Sequence, residues 1–371
     1  MREIILPVAQ STSATMEVDE AQTPDDEDVI GCLPRLLAVA HKEEVERIIA
    51  SIPSVAVEGK EHELEGALER YQKLLDLYQE QPSLLDVSIP SLLSSLLALV
   101  HLPNGERKTL DRQSAIAMQF AYHLTKVRGD KVMVRLLPHD VHYLAPLINC
   151  LEAYTNTVGG DMAERMMLLL WLTIVAKNPF DLRRFDGASE EGATLRRIFA
   201  IALPYLEVPW NRTHYAASLL VAECLSRLDG HPHLANTLQR IAQTIDTAVE
   251  ETKSAPTAEG TVGLDRLLSD RIVGPLVLLL AIMKKVDRTL LLPHASLIHE
   301  MIKRFLPLRG SDAFLAKKCV VKAVQRLGLI MLRPRLAAWR YTRGKRRLEE
   351  NLKSTVEEGG TGEESPRGGK K

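Results

Sequence analysis

The sequence predicts an all-α protein, an α-solenoid of degenerate armadillo/HEAT-like helix pairs with disordered ends. Leucine is abundant, at 58 of 371 residues, whereas Phe, Trp and Tyr together make up only 5%. Leucine without enrichment of β-branched or aromatic residues favours packed helices over sheets. Apolar residues recur at spacings of three and four, and no segment shows the persistent alternation of a strand. Proline and glycine divide the chain into about a dozen helices of roughly 12 to 20 residues, as expected for stacked helix pairs.

No strict repeat consensus is visible, which disfavours tetratricopeptide and ankyrin arrays. A globular all-helical bundle remains the alternative architecture.

The first half of the chain holds three clear helical patterns. Apolar residues at helical spacing occupy one face of 64–78, and the pattern returns in 115–122 before Gly129 ends that helix. Residues 162–177 are apolar almost all round. A helix with no polar face is predicted to lie buried between other helices.

The second half continues the pattern. Residues 200–206 and 217–228 form a pair of apolar segments on either side of Pro209. A longer amphipathic segment covers 315–330 and ends before Pro334, because the residue that precedes a proline avoids helical geometry.

The charge distribution is strongly uneven although the net charge is only −1. Residues 1–30 hold eight acidic residues and one basic residue, whereas 333–347 hold seven basic residues and no acidic one. Acidic sequence with little periodic apolar content, like the Gly/Glu/Lys-rich carboxy-terminal end, is typical of disorder. The predicted organisation is an acidic disordered tail at 1–30, a first half of helical repeats at 31–251, a flexible loop at 252–263, repeats ending in a basic helix at 264–350, and a disordered tail at 351–371.

Motifs for catalysis, cofactors and metals are absent from the sequence. No glycine-rich loop ends in Gly-Lys-Ser/Thr, and no Gly-x-Ser-x-Gly element is present. His139 and His142 are three residues apart, but Pro138 interrupts them and no third ligand is evident. We therefore predict a protein that is not an enzyme and that binds no cofactor or metal.

The cysteines are expected to be small buried hydrophobes in a reducing compartment. They are widely spaced, with no Cys-x-x-Cys pair. The amino-terminal residues lack a secretory signal, and the longest apolar runs fall well below the roughly 20 residues that cross a bilayer. Together these features predict a cytoplasmic protein.

Four blocks in order resemble the amino-terminal region of the tubulin-folding cofactor D family, also called tubulin-specific chaperone D. The blocks are 78–86 (YQEQPSLLD), 125–140 (TKVRGDKVMVRLLPHD), 168–182 (LLLWLTIVAKNPFDL), and 325–341, which contains QRLGL and RPRLAAWRY. The resemblance implies a fold of armadillo and HEAT-like repeats. It also implies a chaperone that acts after the chaperonin, captures β-tubulin and, with other tubulin-folding cofactors, joins it to α-tubulin.

Further partners follow from the same resemblance. The family is tied to an ADP-ribosylation-factor-like small GTPase and to stimulation of GTP hydrolysis by tubulin, so a GTPase-activating effect on a partner is implied. Family members are more than twice as long, so we expect this chain to represent their amino-terminal third. A truncated gene model, a short isoform and a split product remain open explanations.

The candidate partner-binding residues are basic side chains beside apolar helices. Lys126, Arg128 and Arg135 are expected to belong to a solvated face, to an acidic partner's contact, or to an intramolecular network. A second candidate set lies in the basic stretch 333–347, where one helix would show aromatic and guanidinium groups on adjoining faces. An acidic protein such as tubulin fits that helix, and a nuclear-import signal or a plain solvated surface are the alternatives. Nucleic acid is also acidic, but the net charge of −1 disfavours it as a partner. The set consists of Arg335, Trp339, Arg340, Arg343 and Arg347.

For the block 168–182 a structural role is expected. Trp171 should fill the core, Pro179 should stop its helix, and Asp181 should cap the next one.

Two function hypotheses follow. The first is a non-catalytic tubulin-folding chaperone module that binds β-tubulin and influences GTP hydrolysis by a partner, in the cytoplasm and in association with the cytoskeleton. The alternative is a generic helical-repeat scaffold or transport adaptor that binds acidic or basic peptides.

Overall fold

The computed structural model describes residues 26–103, 109–155, 162–187, 190–207, 212–254, 261–305 and 314–332. All regular structure in these ranges is helical, which confirms the predicted all-α class. The chain divides into two compact units, Met1–Val175 and Ala176–Lys371. No helix in the described part of the chain is both long and apolar enough to span a bilayer.

Unit 1 is built around α4 and α7. Helix α4 packs against α2, α3 and α7, and α6 packs against α7. Helix α7 buries nearly all of its side chains, as its apolar composition predicts. The helices are α1 (Asp26–Val55), α2 (Glu61–Asp76), α3 (Ile89–Ala98), α4 (Arg112–Arg128), α5 (Asp130–Leu136), α6 (Leu144–Thr155) and α7 (Met162–Val175), with 3₁₀ turns at Pro82–Val87 and Val141–Tyr143.

Unit 2 is organised around α11, which packs against α9, α10 and α14. The predicted apolar segment before Pro334 forms α14. The helices are α8 (Ala193–Ala202), α9 (Thr213–Leu225), α10 (Leu234–Ser254), α11 (Thr261–Lys285), α12 (Arg288–Leu291), α13 (Ala295–Lys303) and α14 (Phe314–Met331), with 3₁₀ turns at Leu182–Phe185, Leu203–Leu206, His231–His233 and Leu292–His294.

A glycine in the middle of α11 lets this helix approach its neighbours closely. A Cβ added at Gly274 would lie 2.2 Å from the carbonyl oxygen of Leu206 and 2.7 Å from Cδ2 of His214. Only a residue without a side chain fits such a contact. Gly274 therefore positions α11 against α9 and the 3₁₀ turn that precedes it.

The helices extend further than the sequence boundaries suggested. Helix α1 begins at Asp26, inside the predicted tail 1–30, and α10 and α11 enter the predicted loop 252–263 from both sides. Adding a residue to an existing helix costs far less than starting one, so a few weak helix formers do not end it. Residues 1–25, 255–260 and 333–371 lie outside the described residues.

The buried thiols are free, as predicted. Cys150, Cys224 and Cys319 are buried and form no disulfide among the described residues. Burial raises the pKa of the Cys150 and Cys224 thiols to about 12 and also raises the pKa of Cys319.

The residues of the block 168–182 take the structural roles expected of them. Trp171 is buried, and its Nε1 donates a hydrogen bond of 2.8 Å to the carbonyl oxygen of Pro138. The Asp181 carboxylate accepts a 2.9 Å hydrogen bond from the backbone N–H of Arg183 at the start of the next 3₁₀ turn.

Candidate functional site

An open cleft of about 390 Å³ lies in unit 2, next to the loop that begins at Ala176. One wall is this loop, and the other is the carboxy-terminal end of α9 with the turn that follows it. The lining residues are Lys177, Asn178, Pro179, Asp181, Glu223, Ser226, Arg227, Leu228 and Asp229.

Arg227 holds the two walls of the cleft together. Its Nη1 donates to the carbonyl oxygens of Ala176 at 2.8 Å and Asn178 at 2.6 Å, and its Nη2 donates to that of Phe180 at 2.5 Å. Nε and Nη2 also donate to the Asp229 carboxylate, at 2.9 and 3.0 Å. These five contacts match the five N–H donors of a guanidinium group. Arg227 is therefore a structural clamp, with no donor left for a partner.

Asp229 completes the clamp from the turn after α9. Its side chain is only 4% exposed, and Oδ2 also accepts a 2.8 Å hydrogen bond from the backbone N–H of Leu182. Burial opposes ionisation, but the hydrogen bonds from Arg227 and Leu182 hold the pKa of Asp229 below its ordinary value. The tight turn needs Gly230, because a Cβ there would lie 1.9 Å from the carbonyl oxygen of Cys224.

The cleft also contains a carboxylate shared by two lysines. Glu223 is largely buried, and its Oε2 lies 2.6 Å from Nζ of Lys285 and 3.8 Å from Nζ of Lys177. Glu223 thus links the end of α9 to Lys177 of the loop wall and to Lys285 at the end of α11. The Asp181 carboxylate lies on the loop wall, where its hydrogen bonds with Arg183 lower its pKa to about 2. The cleft thus has charged side chains on both walls.

Two apolar side chains are exposed at the rim of the cleft. Leu228, which lines the cleft, is 87% exposed, and Phe180, between two lining residues, is 47% exposed. The lining holds no histidine or cysteine, and the Ser226 hydroxyl donates to the carbonyl oxygen of Glu223 at 2.7 Å. The described residues hold no cluster of three or more His, Cys, Asp or Glu that could bind a metal. Charged walls with an exposed apolar rim are suited to holding a protein segment.

The predicted basic residues of unit 1 divide into two kinds. Arg128 binds the Asp86 carboxylate through Nε and Nη2, the latter at 2.7 Å, and this pairing raises the pKa of Arg128. It therefore joins α4 to the 3₁₀ turn at Pro82–Val87, which is the intramolecular network considered for it. Lys126 and Arg135 are exposed and form no ion pair with any described residue.

The other predicted site residues belong to the basic stretch 333–347. Arg335, Trp339, Arg340, Arg343 and Arg347 lie outside the described residues.

The clamp of Arg227 and Asp229 was not predicted from the sequence. The available signal was the run Ser226-Arg227-Leu228-Asp229-Gly230, a polar turn with glycine directly after an apolar helix. That run marks a turn but does not reveal that its arginine binds carbonyls some 50 residues earlier.

The fold and these surfaces define a helical-repeat protein that offers surfaces for binding. Two family models match the sequence: tubulin-specific chaperone D-like, ARM repeat, over residues 75–245, and tubulin-specific chaperone D-like, ARM repeats, over 315–369. Together they cover more than half of the chain, which belongs to the tubulin-specific chaperone D-like family. This confirms the resemblance and the armadillo-type solenoid class. The family is one of chaperones and scaffolds, with tubulin-related partners, and no solved structure matches the chain.

Proposed function

We propose that this chain is a tubulin-folding chaperone module that binds β-tubulin after its release from the chaperonin and takes part in assembly and disassembly of the αβ-tubulin dimer. The observation that carries the proposal is the match of two tubulin-specific chaperone D-like models over 75–245 and 315–369. The first match includes the cleft residues 177–229 and the basic residues of α4 and α5.

In this proposal the chain recognises β-tubulin through a surface of complementary charge and apolar contact. Tubulin is acidic, and exposed Lys126 and Arg135 offer positive charge without a competing ion pair among the described residues. Phe180 and Leu228 offer apolar contact area beside a charged cleft, and partly exposed apolar anchors next to polar groups are common in protein interfaces.

The other proposed partners are further tubulin-folding cofactors and an ADP-ribosylation-factor-like small GTPase. Any stimulation of GTP hydrolysis would act on a partner's nucleotide, since the sequence contains no phosphate-binding loop. A cytoplasmic, cytoskeleton-associated location follows from such partners.

Binding of the full chain to αβ-tubulin tests the proposal, measured by size-exclusion chromatography and fluorescence anisotropy at low and moderate salt. An acidic protein of unrelated fold serves as the control partner. Saturable binding to tubulin alone that persists at moderate salt supports a chaperone module. Equal binding to both proteins that disappears with salt indicates a generic scaffold instead, because screening removes non-specific charge attraction.

Variants locate the binding surface. Lys126→Glu with Arg135→Glu should weaken tubulin binding by roughly tenfold or more, as expected when charge complementarity is reversed. The matched control reverses two exposed lysines elsewhere, Lys73→Glu with Lys303→Glu. Equal losses in both pairs would show a general effect of net charge and no specific surface. Phe180→Ser with Leu228→Ser tests the rim of the cleft in the same assay.

A further inference from the structure

The start of unit 2 exposes two of the protein's six phenylalanines within one short loop, residues 177–185, called here the aromatic loop. Phe180 and Phe185 are both exposed there, whereas three of the other four phenylalanines are buried. Exposed Leu228 lies across the cleft from this loop. Single exposed apolar side chains are ordinary, but a concentration of them that includes aromatic rings is typical of a protein interface.

Hydrogen bonds from the clamp hold the backbone of the aromatic loop in place. The Phe180 carbonyl oxygen accepts from Nη2 of Arg227 at 2.5 Å, and the Leu182 N–H donates to the Asp229 carboxylate at 2.8 Å. Phe185 ends the 3₁₀ turn that begins at Leu182, roughly 6 Å further along that turn. Because the backbone is already ordered, a partner that binds these rings has less conformational freedom to remove.

The carboxylates around the aromatic loop already have hydrogen-bond donors within the chain. Glu191 lies 2.7 Å from Nη1 of Arg183, and Asp186 accepts from the backbone N–H groups of Gly192 at 2.7 Å and Thr194 at 2.8 Å. The same holds for every other carboxylate of the cleft and of residues 177–192. The full set is Asp181, Asp186, Glu190, Glu191, Glu223 and Asp229.

Two basic side chains of the aromatic loop are less engaged. Arg184 is exposed and forms no ion pair with any described residue. Lys177 is exposed, and its Nζ lies 3.8 Å from Glu223, which is longer than a hydrogen bond. The charges left to meet a partner at this loop are therefore positive. Exposed aromatic rings beside positive charge fit a segment that carries a carboxylate next to an apolar side chain.

We propose that the aromatic loop and Leu228 bind a segment of β-tubulin in which a carboxylate side chain lies beside an exposed apolar one. The apolar side chain would pack against Phe180 and Leu228, and the carboxylate would pair with Arg184 or Lys177. The inference rests on the proposed function and adds to it the place of binding and the chemistry of the tubulin segment.

Photo-crosslinking of the full chain to αβ-tubulin tests the place of binding. The crosslinker p-benzoylphenylalanine replaces Phe180, and in a matched control it replaces Leu77, which is 64% exposed in unit 1. Irradiation should join position 180, but not position 77, to β-tubulin. Mass spectrometry of the product should identify a tubulin segment with Asp or Glu next to an apolar residue. If the replacement at Phe180 prevents folding, Phe185 carries the crosslinker.

Co-elution of the irradiated chains with tubulin separates the failure of this inference from that of the proposed function. Co-elution without a crosslink from position 180 overturns the inference and leaves the proposed function standing. A crosslink to α-tubulin alone, or to a β-tubulin segment without a carboxylate, also overturns it. Absence of co-elution for the unsubstituted chain overturns both.

Removal of the two basic side chains tests the charge part of the inference. Lys177→Ala with Arg184→Ala should raise the Kd for tubulin by roughly fivefold or more and should reduce its dependence on salt. Lys73→Ala with Lys303→Ala, two exposed lysines elsewhere, is the matched control. Equal changes in both pairs, or no change in the first, would refute pairing of a tubulin carboxylate at this loop.

Removal of the rings tests the apolar part. Phe180→Ala with Phe185→Ala should raise the Kd by roughly tenfold, as for aromatic anchors of an interface. The matched control is Val57→Ala with Leu77→Ala, which shortens two exposed apolar side chains of unit 1. Urea denaturation of each variant shows that it folds. A loss of affinity no larger than in the control would overturn the assignment of this surface.

Discussion

Replacement of Arg227 by methionine removes five hydrogen bonds in one step and keeps most of the apolar length of the side chain. The Asp229 carboxylate, only 4% exposed, would lose its counter-charge, and three backbone carbonyls would lose a donor. Breaking a buried ion pair from one side costs about 3–5 kcal/mol. Arg227 is itself 13% exposed, so water can replace some of these bonds, and we expect the lower part of that range, about 3 kcal/mol.

The free energy of unfolding is measured by urea denaturation, followed by far-ultraviolet circular dichroism. Arg240→Met is the matched control, because Arg240 donates to Glu207 at 2.6 Å while both side chains are more than 40% exposed. An exposed pair contributes less than about 1 kcal/mol. Asp229→Asn added to Arg227→Met should recover part of the loss, since a neutral amide is cheaper to bury. Equal small losses for Arg227→Met and Arg240→Met would refute the clamp.

Three further predictions concern packing, pH and reactivity. Gly274→Ala should lower the free energy of unfolding by about 1–3 kcal/mol, because the added Cβ meets backbone atoms. Gly66→Ala, in open space on α2, should raise it by up to about 1 kcal/mol. Thermal melts compare the two variants, and equal effects would contradict the close approach of α11. The lowered pKa of Asp229 stabilises the fold above about pH 4, and this contribution is lost as the pH falls through that pKa. In Asp229→Asn the free energy of unfolding should therefore fall less steeply with decreasing pH. An unchanged pH dependence would contradict the stabilising role of the Asp229 carboxylate. With pKa values near 12, Cys150 and Cys224 should react with a disulfide reagent only after urea unfolding, so rapid reaction in native buffer would contradict their burial.

Local patterns predicted the helices well where one residue type dominated a segment. The apolar composition of α7 predicted a buried helix because a helix without a polar face cannot lie at a surface. The spacing in α14 likewise predicted its buried face. Helix α10 ends at Ser254 and α11 begins at Thr261, so both reach into 252–263 because extending a helix costs less than starting one.

The candidate site was harder to predict because its geometry depends on distant contacts. Lys126, Arg128 and Arg135 look alike in sequence, yet Arg128 binds Asp86 while the other two stay exposed. No residue near Arg128 in the sequence indicates that partner, which lies 42 residues earlier. The same holds for Arg227, whose carbonyl partners belong to a separate loop.

The sequence by itself determined the helical class, the buried thiols and the membership of the tubulin-specific chaperone D-like family, because composition, periodicity and block order are properties of the chain alone. Only the tertiary structure decided which charged groups are used internally and where the cleft lies. Those outcomes depend on which side chains meet across dozens of residues, and local periodicity does not specify such long-range pairs.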